Sequence, residues 1–379
     1  MRIPLAALVT LVDAVLLISL FSCKNRQDVT KEPIKLGYIG PMTGSSAKYG
    51  SFEAVSLAIE EINSAGGIQG RKVMLIAEDG KCNGKEAVTA VNKLIHIDKV
   101  QIILGGHCSP ESLAIAPIVE QNKVVMLASI SSSPLLTHAG DYVFRTTPVS
   151  TVQSEIIAEA AKNKLGVERF AVIYEQTDYA RPIAEKLKLE FEKRNGQIVL
   201  YEAYNPGDID FRTLLLKARS AEPDALFLSA QTPDAVFHFV KQVKELGLSV
   251  KLFGNDVFAT QAIIDQAPEL FEGAVIAAPH FDESNPLTKK FIENYNKRYG
   301  TQHLPHGIWT AESYDAVFLV KKCIEEYGEL PDQVKRCLYN IKDFVGASGK
   351  ISIDQNGDGI REYYLKTIKK GKIVDFPNR

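Results

Sequence analysis

From Ile34 onward the chain alternates between short apolar runs and longer stretches with one apolar face. IKLGYIG (34–40), VMLIAE (73–78), QIILGG (101–106) and VVMLAS (124–129) are continuous apolar runs of strand length. Between the first two lies SFEAVSLAIEEINSAGG, in which Phe52, Val55, Ile59 and Ile62 share one helical face and Gly66–Gly67 supply the stop. The pattern predicts further helices over 85–97 and 110–121. Strands this short and continuous, joined by helices, indicate a parallel sheet covered on both faces.

After FRTTPVS (144–150) the same rhythm restarts. FAVIYE, QIVLYEA, DALFLSA, VKLFG and GAVIAAP alternate with predicted helices near 151–164, 180–194, 211–221 and 233–246. Two α/β lobes follow, with a boundary near Pro148. A helical block (287–340) and a short β-rich tail (351–375) must return to one lobe or the other. In such sheets ligands bind beyond the carboxyl ends of the strands. The polar loops sit there: GPMTGSSAKYG, GHCSPES and ASISSSP in the first lobe, YEQTDYA, SAQTPD and FGNDVFA in the second. Two lobes facing one another with polar loops make a cleft.

The first residues, MRIPLAALVTLVDAVLLISLFSC, lie outside this rhythm. One basic residue, an apolar run and a small residue before Cys23 read as an export signal over 1–22. LFSC resembles the lipobox of bacterial lipoproteins, in which the cysteine receives the lipid, so Cys23 is the expected lipidation site and 23–33 a tether. Asp13 within the run and Phe21 before Ser22 depart from that pattern, and an uncleaved membrane anchor is the alternative. Either way the folded part is expected outside the cytoplasm, in the periplasm or at the cell surface.

Export changes how the cysteines read. Of five, a lipidated Cys23 leaves four, in a compartment where thiols pair. Cys82 and Cys108 each follow a strand-like run, and neighbouring strands could place both at one sheet edge. Cys323 and Cys337 flank the turn YGELPD between two helical stretches and make a second candidate pair. A bridged Cys108 cannot act as a nucleophile, although His107 and Ser109 stand beside it.

Lys and Arg total 44 against 46 Asp and Glu, with no basic stripe, which argues against nucleic acid as a partner. GPMTGSSAKYG and GASGKIS (346–352) lack the spacing of a phosphate loop, and no cofactor is expected. No CxxC, HxxxH or HExxH spacing occurs, nor a G-x-S-x-G elbow, so neither zinc nor hydrolase chemistry is indicated. DQNGDGIRE (354–362) imitates the start of a calcium loop, but Leu365 stands where a bidentate Glu belongs, and a polar hairpin turn is expected instead. His280, His303 and His306 read as solvated loop residues. Trp309, opening a helix-like segment, reads first as core packing.

Taken together, IKLGYIGPMTGSSAKYG, EEINSAGGIQGRKVMLIAEDGKC, GGHCSPESLAIAP, SSSPLLTHAGDYVFRTTP and GKISIDQNGD resemble the leucine/isoleucine/valine-binding protein family, the type I substrate-binding components of ABC importers. The likeness runs from Ile34 to the C-terminus. It implies two Rossmann-like lobes joined by a three-crossover hinge, with 34–148 and 280–363 in lobe 1 and 149–279 and 364–379 in lobe 2. It implies a monomeric binding protein, not an enzyme, that closes on an α-amino acid, branched-chain or otherwise aliphatic, and presents it to a membrane permease. Residue by residue, the resemblance assigns Ser109 to the ligand carboxylate, Ser132 to both carboxylate and ammonium, and the Ile130 carbonyl and Asp256 to the ammonium. Tyr179 and Tyr49 become pocket aromatics. Gln231 stands near a position where the family carries a tyrosine, and Asp256 is shorter than the usual glutamate. The family's cystine matches Cys82 and Cys108. A ligand-sensing module reporting to a membrane receptor, and a binder of a related small carboxylate or amide, are the alternatives.

Overall fold

The computed structural model describes residues 32–377. Strand β1 (Ile34–Gly40) leads to α1 (Ser51–Ser64), β2 (Val73–Asp79), α2 (Gly84–Asn92), β3 (Ile102–Gly105), α3 (Ser109–Asn122), β4 (Val125–Ala128) and β5 (Val143–Arg145). The five strands form a parallel sheet in the order β2-β1-β3-β4-β5. Every residue of β3 and β4 is buried, which is why these strands read as unbroken apolar runs.

The chain then crosses to a second sheet through α4 (Val152–Glu159), β6 (Arg169–Glu175), α5 (Ala180–Lys193), β7 (Gln197–Tyr204), α6 (Arg212–Ser220), β8 (Ala225–Ser229), α7 (Pro233–Glu245), β9 (Lys251–Gly254) and β10 (Val275–Pro279). It returns to the first sheet with α8 (Pro286–Tyr299), α9 (Gly307–Tyr327), α10 (Pro331–Tyr339) and the small sheet β11 (Phe344–Gly346), β12 (Gly349–Ile353) and β13 (Gly359–Ile360). Finally β14 (Tyr363–Lys369) and β15 (Lys372–Asp375) join the second sheet as an antiparallel edge, giving the order β15-β14-β10-β9-β8-β6-β7. The β-rich tail therefore divides between the two lobes.

Each sheet has its own core. Leu36, Val55, Leu104 and Leu127 pack with Val317, Val320 and Ile351, so the first core needs residues from both ends of the chain. In the second, Phe170 meets Phe191 and Phe253 edge-on. The crossings are pinned by buried charge. Arg145, at the first, donates to Asp358 near the third (2.7 Å), to the Ser133 carbonyl (2.7 Å) and to Thr137 (2.8 Å). Arg361, in the third, lies 2.9 Å from Glu312 of α9. DQNGDG forms a hairpin turn, with Asp354 accepting from the N–H groups of Asn356 (2.8 Å) and Asp358 (2.9 Å).

Two disulfides are present: Cys82–Cys108, with Cα atoms 5.1 Å apart, and Cys323–Cys337, 5.4 Å apart. The expectation that Cys82 and Cys108 follow neighbouring strands needs correction, because β1 lies between β2 and β3. The bridge still forms because the loop after β2 lies against the end of β1, where Gly80 N–H donates to the Gly40 carbonyl at 3.0 Å. The expected signal peptide, Cys23 and all of the tether except its last two residues lie outside the described residues. Among the described residues no helix is long and apolar enough to cross a membrane.

Candidate ligand-binding site

The first-lobe side of the cleft is built at the start of α3. Glu111 folds back to accept N–H bonds from Cys108 (2.9 Å) and Cys82 (2.8 Å), and with the disulfide this fixes the loop that delivers Ser109. Burial lifts the Glu111 carboxyl to about 7, against the pull of those N–H groups. Ser109 is buried at the first turn, where the helix presents its positive end. Its Oγ receives the Ser133 N–H at 3.2 Å and faces Ser131 Oγ at 3.4 Å. Ser132 is also buried, and its Oγ has no hydrogen-bond partner among the described residues. The serine run thus curls around Ser109, with one hydroxyl left over. His107 takes no part in this. Its Nδ1 meets Ser129 Oγ at 2.7 Å, its ring packs on Tyr38, and burial pulls its pKa to about 3.

The second-lobe side is organised around Asp256, in the loop after β9. Gly254 permits this loop to turn tightly, since a Cβ there would lie 2.1 Å from the Phe258 ring. Asp256 is fully buried. Its carboxylate accepts from Tyr179 Oη, from Gln153 Nε2 (3.2 Å) and from Tyr363 Oη (3.2 Å), and its N–H donates to Gln153 Oε1 (3.0 Å). All these donors are neutral. Among the described residues no lysine or arginine pairs with it, and burial raises its pKa to about 6 despite the donors. A buried carboxylate held by neutral donors and lacking a counter-cation is suited to a ligand that brings one.

Aromatic groups lie between the two sides. Tyr49 closes the first-lobe loop 45–49 and donates across the cleft to the Gln231 carbonyl at 2.5 Å. Thr310 of α9 holds the Tyr49 carbonyl at 2.9 Å, and the Trp309 ring meets the Tyr49 ring edge-on at 5.0 Å. Gly50 has a positive φ of 69°, and a Cβ there would lie 2.6 Å from Tyr295 Oη, so the turn after Tyr49 requires glycine. Ile130 packs in the same apolar cluster as Tyr49, Tyr179 and Trp309.

All seven residues expected to contact the ligand are buried; Tyr49 meets Gln231 and Tyr179 meets Asp256, while the Ser109 hydroxyl bonds within the first lobe. A hydrogen-bond path also connects the two ends of the site. Ser150 N–H donates to the Ser132 carbonyl (2.8 Å), Gln153 N–H donates to the Ser150 carbonyl (3.2 Å), and the Gln153 amide reaches Asp256. Four neighbours escaped the sequence reading: Gln153, Asn255, Tyr363 and His306. His306 corrects the expectation of a solvated loop residue. It is 1% exposed, its Nε2 lies 3.1 Å from the Asp256 carbonyl, and its ring stacks on Trp309 at 4.0 Å. Burial draws its pKa down to about 4. Trp309, read as core packing, is 3% exposed and lies in the apolar cluster that includes Tyr49 and Tyr179. Asn255 alone carried a signal, sitting beside Asp256 in the polar loop FGND.

Opposed polar loops on two hinged sheets, with serine hydroxyls on one side and an uncompensated carboxylate on the other, define a two-lobed ligand-binding protein. The chain belongs to the periplasmic binding protein family, whose model matches residues 33–372. It is 28% identical over 331 residues to a leucine-, isoleucine-, valine-, threonine- and alanine-binding protein of Pseudomonas aeruginosa, covering 86% of this chain and 87% of that one. Among solved structures it resembles the leucine-binding protein LivK of Thermotoga maritima (30% identity, TM-score 0.82, covering 91% and 98% of the two chains). It also resembles LivJ of Streptococcus pneumoniae, a branched-chain amino acid transporter substrate-binding protein solved with isoleucine (26%, TM-score 0.82, 90% and 97%). The chain is a binding protein, not an enzyme, and its family places it outside the cytoplasm.

Proposed function

We propose that the protein binds an α-amino acid between its lobes and presents it to an ABC permease, as a monomer tethered to the membrane through lipidated Cys23. The observation that carries this reading is Asp256, buried with no lysine or arginine partner among the described residues, while the other lobe buries the hydroxyls of Ser109 and Ser132. A zwitterion matches both: its ammonium pairs with Asp256 and the Ile130 carbonyl, and its carboxylate takes Ser109, Ser132 and the N-terminus of α3. Tyr49, Tyr179 and Gln231 enclose the rest. The relatives' names support the amino-acid class; they span aliphatic and small hydroxylated side chains, so recognition of the α-amino acid group is what they share. The lobes, 34–148 with 280–363 and 149–279 with 364–379, turn about the three crossings.

A thermal-shift screen of the twenty amino acids and of matching carboxylates lacking the amine tests the proposal. At 100 times its Kd a ligand stabilises by about 2.7 kcal/mol. The expected result is a rise in Tm with one or a few amino acids and none with the amine-free analogues. Equal shifts from both sets would remove the ammonium from the reading.

A further inference from the structure

The second-lobe floor of the cleft differs from an aliphatic pocket in one respect. Two buried amide oxygens there, Gln231 Oε1 and Asn255 Oδ1, have no hydrogen-bond partner among the described residues. The Asn255 orientation is fixed by its neighbours. Its Nδ2 donates to the Ala230 carbonyl at 2.8 Å, a group that can only accept. Nδ2 also reaches Tyr179 Oη at 3.3 Å, and that hydroxyl donates its own hydrogen bond to Asp256. Oδ1 is therefore the end left over, an acceptor one residue from the proposed ammonium anchor. Gln231 is held in place by its backbone: its carbonyl takes Tyr49 Oη, and its N–H donates to Glu175 Oε2 at 2.7 Å. Its side chain is thereby left out of the framework.

Gln231 meets Tyr49 and Asn255 meets Tyr179, the two aromatics assigned above to enclose the ligand's side chain. An apolar side chain would seal both oxygens from water without replacing their hydrogen bonds, which penalises binding. A side chain with N–H or O–H donors would satisfy them. Sites that hydrogen-bond a substrate group reject the analogue lacking it far more strongly than apolar pockets reject a missing methylene.

We infer that the ligand is an α-amino acid whose side chain carries a hydrogen-bond donor, a carboxamide first among them, and that Gln231 and Asn255 select it over its aliphatic isostere. This rests on the amino-acid reading above and replaces the aliphatic expectation drawn from the family resemblance.

Titration calorimetry of the full-length protein with asparagine against leucine, and glutamine against methionine, tests the inference, because each pair is close in shape and differs in hydrogen bonding. The expected result is at least tenfold tighter binding of the amide in one pair, a difference of about 1.4 kcal/mol. Gln231→Leu should shrink that preference at least threefold, read as the ratio of the amide and apolar affinities in the same variant. The Gln231 backbone contacts survive this change, and an unaltered far-ultraviolet spectrum checks the fold. Tight binding of leucine or methionine with the amides weaker overturns the inference and leaves the amino-acid reading standing. Binding of no α-amino acid removes both.

Discussion

Asp256 is the side chain on which recognition of an ammonium would turn. On the proposed amino-acid reading, Asp256→Ala leaves the ligand's buried ammonium unpaired, a loss of roughly 3–5 kcal/mol. Affinity should fall by about two to four orders of magnitude. Ser109→Ala should lose less, roughly 1.5–3 kcal/mol, because the N–H groups at the start of α3 remain. Calorimetry on both variants checks the order; an Asp256→Ala protein binding within threefold of wild type would end the ammonium assignment. The same carboxyl predicts a pH dependence. Burial raises its pKa to about 6, above the ordinary 3.8, so in the free fold it holds its proton more tightly than in the unfolded chain. Its burial therefore destabilises the free protein above pH about 6, and that penalty disappears as pH falls from about 6 towards 4. Ligand binding runs the other way, because an ammonium needs the ionised form. Affinity should be flat above pH about 6 and weaken by up to tenfold per unit below it, with Asp256→Asn showing no such slope.

Among the elements, the disulfides divide by location. Cys323–Cys337 ties α9 to α10 within the first-lobe core, 14 residues apart in sequence. Removing it as Cys323→Ala/Cys337→Ala should lower stability by about 3 kcal/mol on loop-entropy grounds. Urea unfolding would show this, with affinity unchanged within threefold. Removing Cys82–Cys108 should weaken binding as well as stability, because the bridge anchors the loop leading into Ser109; equal affinity in that variant would separate the staple from the site. The contrast also marks what the sequence made legible. Local apolar runs mark the strand-end loops, whereas Ser109, Tyr49, Tyr179 and Asp256 within them are assigned by the family resemblance. Strand order was not legible, since nothing in the runs around Cys82 and Cys108 says that β1 separates β2 from β3. Nor was the company of Asp256. Gln153 and Tyr363 lie 103 and 107 residues away from it, and no local periodicity links them. His306, amid polar and proline residues, gave a loop signal that α9 and Trp309 override by stacking.

For the molecule as a whole, the lobes are linked by an exposed ion pair as well as by the buried Tyr49–Gln231 and His306–Asp256 bonds. Lys48 pairs with Asp234, both roughly 40% exposed, and Asp234 N–H reaches Ser45 Oγ at 2.9 Å beside the Tyr49–Gln231 bond. A half-exposed ion pair contributes about 0–1 kcal/mol, so Lys48→Ala should change affinity less than threefold. Closure should instead depend on the ligand, which contacts both lobes at once. Small-angle scattering should give a smaller radius of gyration at saturating ligand than without it. An unchanged radius would count against hinge motion about the three crossings.

The return of the chain to each sheet near its end sets a timetable for biosynthesis. The first core waits for Val317, Val320 and Ile351, and the second sheet lacks its antiparallel edge until β14 and β15 exist. At about 5–20 residues per second, a ribosome needs roughly 20–75 seconds to make such a chain. Through most of that time neither half can complete its packing, so the polypeptide lacks its final tertiary contacts until synthesis is nearly finished. Nascent chains stalled near residue 300 should be cleaved by protease throughout, whereas the released protein resists; a protected fragment ending near residue 148 would show early folding of the first half.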